Sequence, residues 1–418
     1  MKRKISWYTV MASTRSAQFF FIVQCAWCIS ICTGAGNGAA VRERPDTNSL
    51  SFSGYGQFWF KYEHVENGKF HQTTGEQAAQ EATGFSINRL RLFFGGFVPS
   101  TRAFFSIGAR LENRIELLDC YAGWYFHPLL QVILGQCKVP SASELLQAPS
   151  QTDFISVSRV SAEMAEWMFI RTPYIGLYEK SRSYRRDAGL SIKGFSADSC
   201  IAYHCMIGNG FGANRFMGGY EKHRSGNFFA NKAGDFFYGI RLDTRAIPFI
   251  RLGAAGSINR HENLIANDTK TVRHFDRRNA VADIDFHFPF RIQLSGLYAL
   301  GMVGDNYAGS AKLEKNALDY SGFSCALIGG AFWKERVCAG VRFDRYMYEF
   351  DENTHEYADD QVTIGISFTH KPALLLQWNY IYKKYKEQYR RGLDDNILVL
   401  NVRFAFAQSY RKRNNGQG

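Results

Sequence analysis

Apolar and polar residues alternate with a period of two from end to end of this chain, and few folds accept such a pattern. Over residues 52–62, one face carries Phe52, Gly54, Gly56, Phe58, Phe60 and Tyr62, and the other Ser53, Tyr55, Gln57, Trp59 and Lys61. The same period recurs over 102–112, 249–259 and 361–369. Successive side chains of a strand point to opposite faces, so strict alternation marks strands with two unlike sides. No 3.6-residue stripe competes with it.

The links between these runs alternate too. Short ones fall at Val98-Pro99-Ser100, His127-Pro128, Ile247-Pro248, Phe288-Pro289 and Lys371-Pro372, while long polar ones cover 65–83, 139–186, 208–234, 260–278, 302–316 and 349–360. Proline has no N–H to give to a ladder, so its presence in the short links and absence from the alternating runs fit strands on either side of them. Tight turns alternating with longer loops predict an all-β chain, a transmembrane up-and-down antiparallel barrel of about sixteen strands. A secreted sandwich or propeller is the alternative. Against it, the apolar faces recur on nearly every run and would aggregate in water. Tyrosine and tryptophan also gather at strand ends, as over 124–125 and 378–382, where membrane interfaces place them.

Three segments follow. Lys2, Arg3, Lys4 and Arg15 precede an apolar run over 19–32 and small residues over 33–40, which predicts a signal peptide at 1–40. The barrel is expected over 41–406, its last strand ending on Phe404 and Phe406 with Arg403 inside. Residues 407–418, polar and basic, are expected to form a flexible periplasmic tail. Export and strand-only spans together point to the outer membrane of a Gram-negative bacterium, with its lipid as a partner. The formal charge is +12, and the chain stays basic once the signal is gone, which suits an anionic partner. No nucleic-acid motif is present. Cys120 and Cys137, on adjacent strands, could pair in an oxidising compartment; the remaining mature cysteines read as small hydrophobes.

The longest stretch without a strand repeat, 139–186, begins where Pro140 breaks the run over 130–139. Leu145, Leu146, Phe154 and Ile155 within it are apolar enough to favour folding inward against the wall, which would make it a constriction loop. Pro140, Glu144, Asp153 and Arg159 are its candidate constriction residues. Because 139–157 holds no lysine or arginine, an anion preference has to come from the wall: Arg89, Arg91, Arg102 and Arg110, with Lys138 at the loop's root. Arg251, Arg291, Arg336, Arg342 and Arg403 also fall opposite apolar stripes. Guanidinium groups suit oxyanions because they stay charged and bind them bidentately. The competing role is pairing with Glu112, Asp119, Asp243, Asp283, Asp285 and Asp344 to stiffen the wall. Asp283, Asp285 and His287 share a face and could be taken for an acid–base or metal line, but no nucleophile sits beside a base. No catalytic residue, metal ligand or cofactor is assigned, and the chain is not read as an enzyme.

Several stretches resemble the phosphate-selective porin O and P family: FSINRLRLFFGG over 85–96, LLDCYAGWYF over 117–126, LGQCKVPSASELL over 134–146, RRDAGLSIKG over 185–194, GNG over 208–210 and NYIY over 379–382. They run in order from about residue 51 to 406. The resemblance implies a sixteen-stranded homotrimeric channel with an infolded third loop, passing small anionic solutes by passive diffusion, with phosphate among the possible ones. A barrel hydrolase and a non-conducting adhesive barrel are the rival readings.

Overall fold

The computed structural model describes residues 48–65, 80–112, 115–147, 154–168, 185–210, 236–266, 270–288, 292–303, 320–331, 336–349, 356–370, 373–385 and 394–411. The expected signal peptide, Asp153, Arg291 and residues 412–418 lie outside them. The strands are β1 (Ser49–Val65), β2 (Gln80–Val98), β3 (Ala103–Arg110), β4 (Glu116–His127), β5 (Leu130–Lys138), β6 (Arg186–Phe195), β7 (Ile201–Gly208) and β8 (Phe237–Ile247). They continue as β9 (Ile250–Ala266), β10 (Lys270–His287), β11 (Gln293–Val303), β12 (Tyr320–Ala331), β13 (Val337–Glu349), β14 (Glu356–His370), β15 (Leu374–Tyr385) and β16 (Asp394–Arg411). Each pairs antiparallel with its sequence neighbours, and β16 pairs with β1, so the sheet closes. The expected all-β barrel of about sixteen strands is what forms.

Closure runs further than expected at the C-terminal end. Ladder pairs extend from Val65↔Asp395 to Ser49↔Arg411, so residues 407–411 belong to β16 rather than to a tail. The reason lies in β1: it begins at Ser49, and its first residues need partners that only the chain beyond Phe406 can supply.

The two faces sort as the alternation requires. Outward lie Phe58, Leu134, Ile240, Leu242, Leu400 and Phe404, all exposed; inward lie Tyr55, Gln57, Asn401 and Arg403, all buried. A closed sheet with this apolar exterior is suited to hydrocarbon, where every backbone N–H must bond within the barrel. One irregularity re-aims a strand. The β1–β2 register shifts between Gln57 and Phe58, which pair with Arg89 and Ile87, so Asn88 is the extra residue of a bulge. Strict alternation would put Ile87 on the face of Arg89. The bulge instead turns Ile87 and Phe85 outward, where both are exposed, while Arg89 reaches inward to Gln57.

Cys120 and Cys137 do not pair. Cys120 sits opposite Gln136, one residue from Cys137, so the two side chains leave the sheet on opposite faces. Cys120 is exposed outside, and Cys137 is buried inside with its sulfur 3.3 Å from Ser191 Oγ.

The ladder makes a testable distinction at the seam. Removing residues 412–418 should leave the yield of heat-modifiable barrel unchanged, whereas removing 404–418 should abolish it, as read by gel mobility before and after boiling.

Candidate functional site

The site is built where the long loop returns to the wall. After β5 the chain turns inward at Pro140, which is buried, and its Cδ lies where a side chain on Gly239 of β8 would crowd it at 3.3 Å. A single-turn helix, α1 (Ser143–Leu146), follows. Its first N–H donates to Asp283 Oδ2 at 3.2 Å, and Arg241 donates to the Ser141 carbonyl at 2.8 Å. At the other end Lys138 Nζ donates to the carbonyls of Leu146 (2.6 Å) and Gln147 (2.9 Å). A cation placed there answers the unpaired carbonyls that a helix end presents. Lys138 therefore holds the loop's own backbone.

A second helix, α2 (Arg159–Trp167), is capped by Ser158, whose Oγ accepts from Ser161 N at 3.2 Å. Glu144 clasps the two helices together: its carboxylate accepts from the Ser158 N–H and hydroxyl, both at 2.7 Å, and lies 3.5 Å from Arg342. Arg342 of β13 also donates to the carbonyls of Ser156 (2.9 Å) and Val157 (3.2 Å) and stacks on Phe154 at 4.8 Å. Arg159 pairs with Asp359 at 3.2 Å and with Glu163 at 2.5 Å, and its N–H donates to Asp344 at 3.3 Å. Asn259 of β9 holds the carbonyl of Met168 at 2.9 Å. The described parts of the loop thus lie inside the barrel, bonded to strands from β8 to β14.

Apolar contact completes the seat. Val139, Ala142, Leu145, Val160, Met164, Ala165 and Met168 form one buried cluster with Phe237, Ala255, Val281, Ala299, Tyr320 and Tyr346 of the wall. Small inward residues make the room. A Cβ on Gly322 would stand 2.9 Å from Val160, and one on Gly340 or Gly365 would stand 3.1 Å from Phe154. Ile155 reaches further still and packs with Ile381, Ile397 and Val399 of β15 and β16.

The wall acids have definite partners. Arg241 bridges Asp243 (2.5 Å) and Asp283 (2.8 Å), Arg251 bridges Asp283 and Asp285, and Arg342 pairs with Asp344 at 3.1 Å. Asp283 and Asp285 are therefore occupied by guanidinium groups. Among the sequence-selected cations, Arg110 pairs with Glu112 and Glu116. Arg102 is not with the others. It is an exposed residue of the β2–β3 turn with φ +55°, and it donates to the Phe126 carbonyl at 3.2 Å. Arg91 pairs with Arg110 in register while Val98 pairs with Ala103, so Arg102 stands about 23 Å along the strand from them.

The remaining cations gather. Arg185, the residue before β6, lies in the repulsive field of Arg89, Arg91 and Arg186, with Glu144 acting in the opposite sense. Lys138 lies in the repulsive fields of Arg186, Arg185 and Arg91 and in the attractive field of Asp119. Arg186 forms a bidentate pair with Asp119 at 2.8 and 2.9 Å. Arg91 lies over the Tyr55 ring at 5.9 Å, and Arg89 donates to Gln57 Oε1 at 3.0 Å. The inward wall of β2, the end of β5 and the start of β6 thus form one basic cluster. Sequence reading found Arg89, Arg91 and Lys138 of it but missed Arg185 and Arg186. Their signal was a double arginine at the point where the loop rejoins the alternating pattern.

No family model and no curated protein matches the sequence. Solved structures do match. The trimer form of OmpT, an outer membrane protein of Vibrio cholerae, is 10% identical, covering 86% of this chain and 100% of its own, with a TM-score of 0.53. The outer membrane channel DcaP of Acinetobacter baumannii is 9% identical, covering 89% and 100%, also at 0.53. OprB of Pseudomonas putida, at high pH, is 10% identical, covering 86% and 94%, at 0.52. The fold is shared with these outer-membrane proteins. At such identities the likeness concerns the path of the backbone and carries no side-chain chemistry from one protein to another.

The seat predicts what loosens the loop. Replacing Arg342 with methionine leaves Glu144 and Asp344 facing each other without their shared cation, a change that costs about 3–5 kcal/mol at buried pairs. Tryptic cleavage within 139–186 should become at least several-fold faster while the heat-modifiable barrel persists; unchanged cleavage would contradict the assignment of Arg342 as the loop's anchor.

Proposed function

We propose that this protein is a porin of the outer membrane, exported with its signal peptide removed, that lets small solutes diffuse passively and prefers anions, phosphate or similar oxyanions among them. The observation that carries this reading is the basic cluster of Arg89, Arg91, Lys138, Arg185 and Arg186 beside a loop fastened to strands β8 to β14. A channel has no bond to break. It needs a polar path and charge at its narrow part, and fixed cations at a low-dielectric constriction concentrate anions. Of the cations selected from the sequence, Arg89 and Arg91 are proposed to set selectivity, Lys138 and Arg110 to hold loop and wall, and Arg102 to play no part in the constriction. Pro140, Glu144 and Arg159 fix the loop that narrows the lumen. A homotrimer is the proposed assembly, and outer-membrane lipid is the proposed surround of its apolar belt.

Planar-bilayer recordings test the proposal. The wild type should conduct, with reversal potentials in asymmetric potassium chloride showing anion preference that weakens as salt screens the cluster. Arg89→Glu with Arg91→Glu should abolish or reverse the preference at low salt. Shortening 142–158 should raise conductance without changing its sign. A barrel that stays silent in bilayers, or that hydrolyses peptide or lipid, would overturn the proposal.

A further inference from the structure

The outer face of the seam carries a cleft. It measures about 480 Å³ and is lined chiefly by Phe58 and Phe60 of β1, Phe85 and Ile87 of β2, and Leu400 and Val402 of β16. That is many times the roughly 30 Å³ that one water takes in the liquid. Two aromatic rings that part from each other open it. A Cβ on Gly56 would stand 3.2 Å from the Phe58 ring, so Phe58 lies down over the bare glycine, on the side of Phe404, whose ring is 6.3 Å away. Phe60, two residues on, instead meets the ring of Phe85 on β2 at 5.0 Å. The bulge at Asn88 lies at the lower edge of the cleft, between Ile87 and Arg89.

The height of the cleft decides what can fill it. The outward residues of β1 from Phe52 to Tyr62 are aromatic or glycine, and at the tilt of such strands they cover about 25 Å of the membrane normal, the height of a lipid-facing band. Phe58 and Phe60 lie just above the middle of that band, toward the long loops. The next tier is polar. His64 stands 3.5 Å from Glu81 of β2, and beyond it on the same outer face Lys384 of β15, which is exposed, pairs in register with Asp394 of β16. His64 is four residues past Phe60, about 10 Å nearer the headgroups. Basic groups and carboxylates stand side by side in this tier, which complements a head that carries both signs of charge.

We infer that the cleft holds one acyl chain of a phospholipid whose head, bearing a phosphate and an ammonium, rests on His64, Glu81, Lys384 and Asp394. Water finds no polar partners between these side chains. An acyl chain restores the dispersion contacts that an empty cleft forgoes. Such a lipid differs from the rest of the bilayer in being retained, wedged against the ladder that closes the barrel. The inference goes beyond the channel reading and is read without any current, so a barrel that stays silent in bilayers would not overturn it.

The test uses the full-length protein, extracted from membranes and exchanged into fresh detergent, with phosphatidylethanolamine as the added probe and native mass spectrometry as the readout. One lipid per chain should survive the exchange. Val402→Trp, which fills the cleft, should lower its occupancy at least fivefold. Leu242→Trp, at an exposed apolar position of β8 away from the seam, should leave it unchanged, with folding of both variants verified by heat-modifiable mobility. If Val402→Trp does not fold, Ile87→Trp fills the same space from β2 and should have the same effect. Lys384→Glu should move the midpoint for phosphatidylethanolamine about threefold to higher concentration, and an unchanged midpoint would overturn the placement of the head. A wild type that keeps no lipid, or a filled cleft that keeps as much as the wild type, would overturn the inference. In the latter case a change of oligomeric state in Val402→Trp would assign the cleft to a second copy of the chain instead.

Discussion

In hydrocarbon no water is available to take an unpaired N–H or C=O, and this single constraint shapes the rest of the molecule. It requires the seam between β1 and β16 to be paired along its length, which is why the last strand runs on to Arg411. It also fixes which face of each strand is free to carry chemistry. With the exterior given over to apolar side chains, every charge within the span must point into the lumen and find its counterpart there.

The lumen meets that demand unevenly. From β8 to β14 the wall charges are tied to one another and to the loop, through Arg241, Arg251, Arg342 and their carboxylates. Alanine and glycine at positions 255, 299, 322 and 340 admit the loop's apolar side chains. Around β2 and the root of the loop cations crowd together, with Glu112, Glu116, Asp119 and Glu144 among the opposing charges. One side of the interior is therefore packed like a protein core, while the other gathers arginine and lysine side chains. A loop anchored by carbonyl and carboxylate bonds on so many strands behaves as part of the wall.

Most of the barrel was legible in the sequence, because a two-residue period and proline placement report strand faces and turns directly. The inward fold of the loop was legible from Leu145, Phe154 and Ile155, which have no place in water. The seat was not, although its trace was present: Ala255, Val281 and Ala299 are apolar on faces that alternation makes lumenal. Single-strand reading counts such residues as noise, since their partner lies more than a hundred positions away in the chain. Arg102 was misplaced for a related reason. Alternation assigns a face but not a height, and a turn residue shares the parity of a residue deep in the wall. Arg185 and Arg186 escaped notice because they stand at the edge of the pattern.

The bulge at Asn88 carries a consequence for how this gene can change. Below it, Arg89 and Arg91 hold the lumenal face; above it, Phe85 and Ile87 hold the outer one. Arg89 and Ile87 pair with adjacent residues of β1, Gln57 and Phe58, so losing the Asn88 codon would leave both on the faces they now hold and simply straighten the ladder. Gaining or losing one residue elsewhere in the paired part of β2 would instead turn every side chain beyond it to the other face. Length is thus freer to drift at the bulge than in the regular ladder on either side of it.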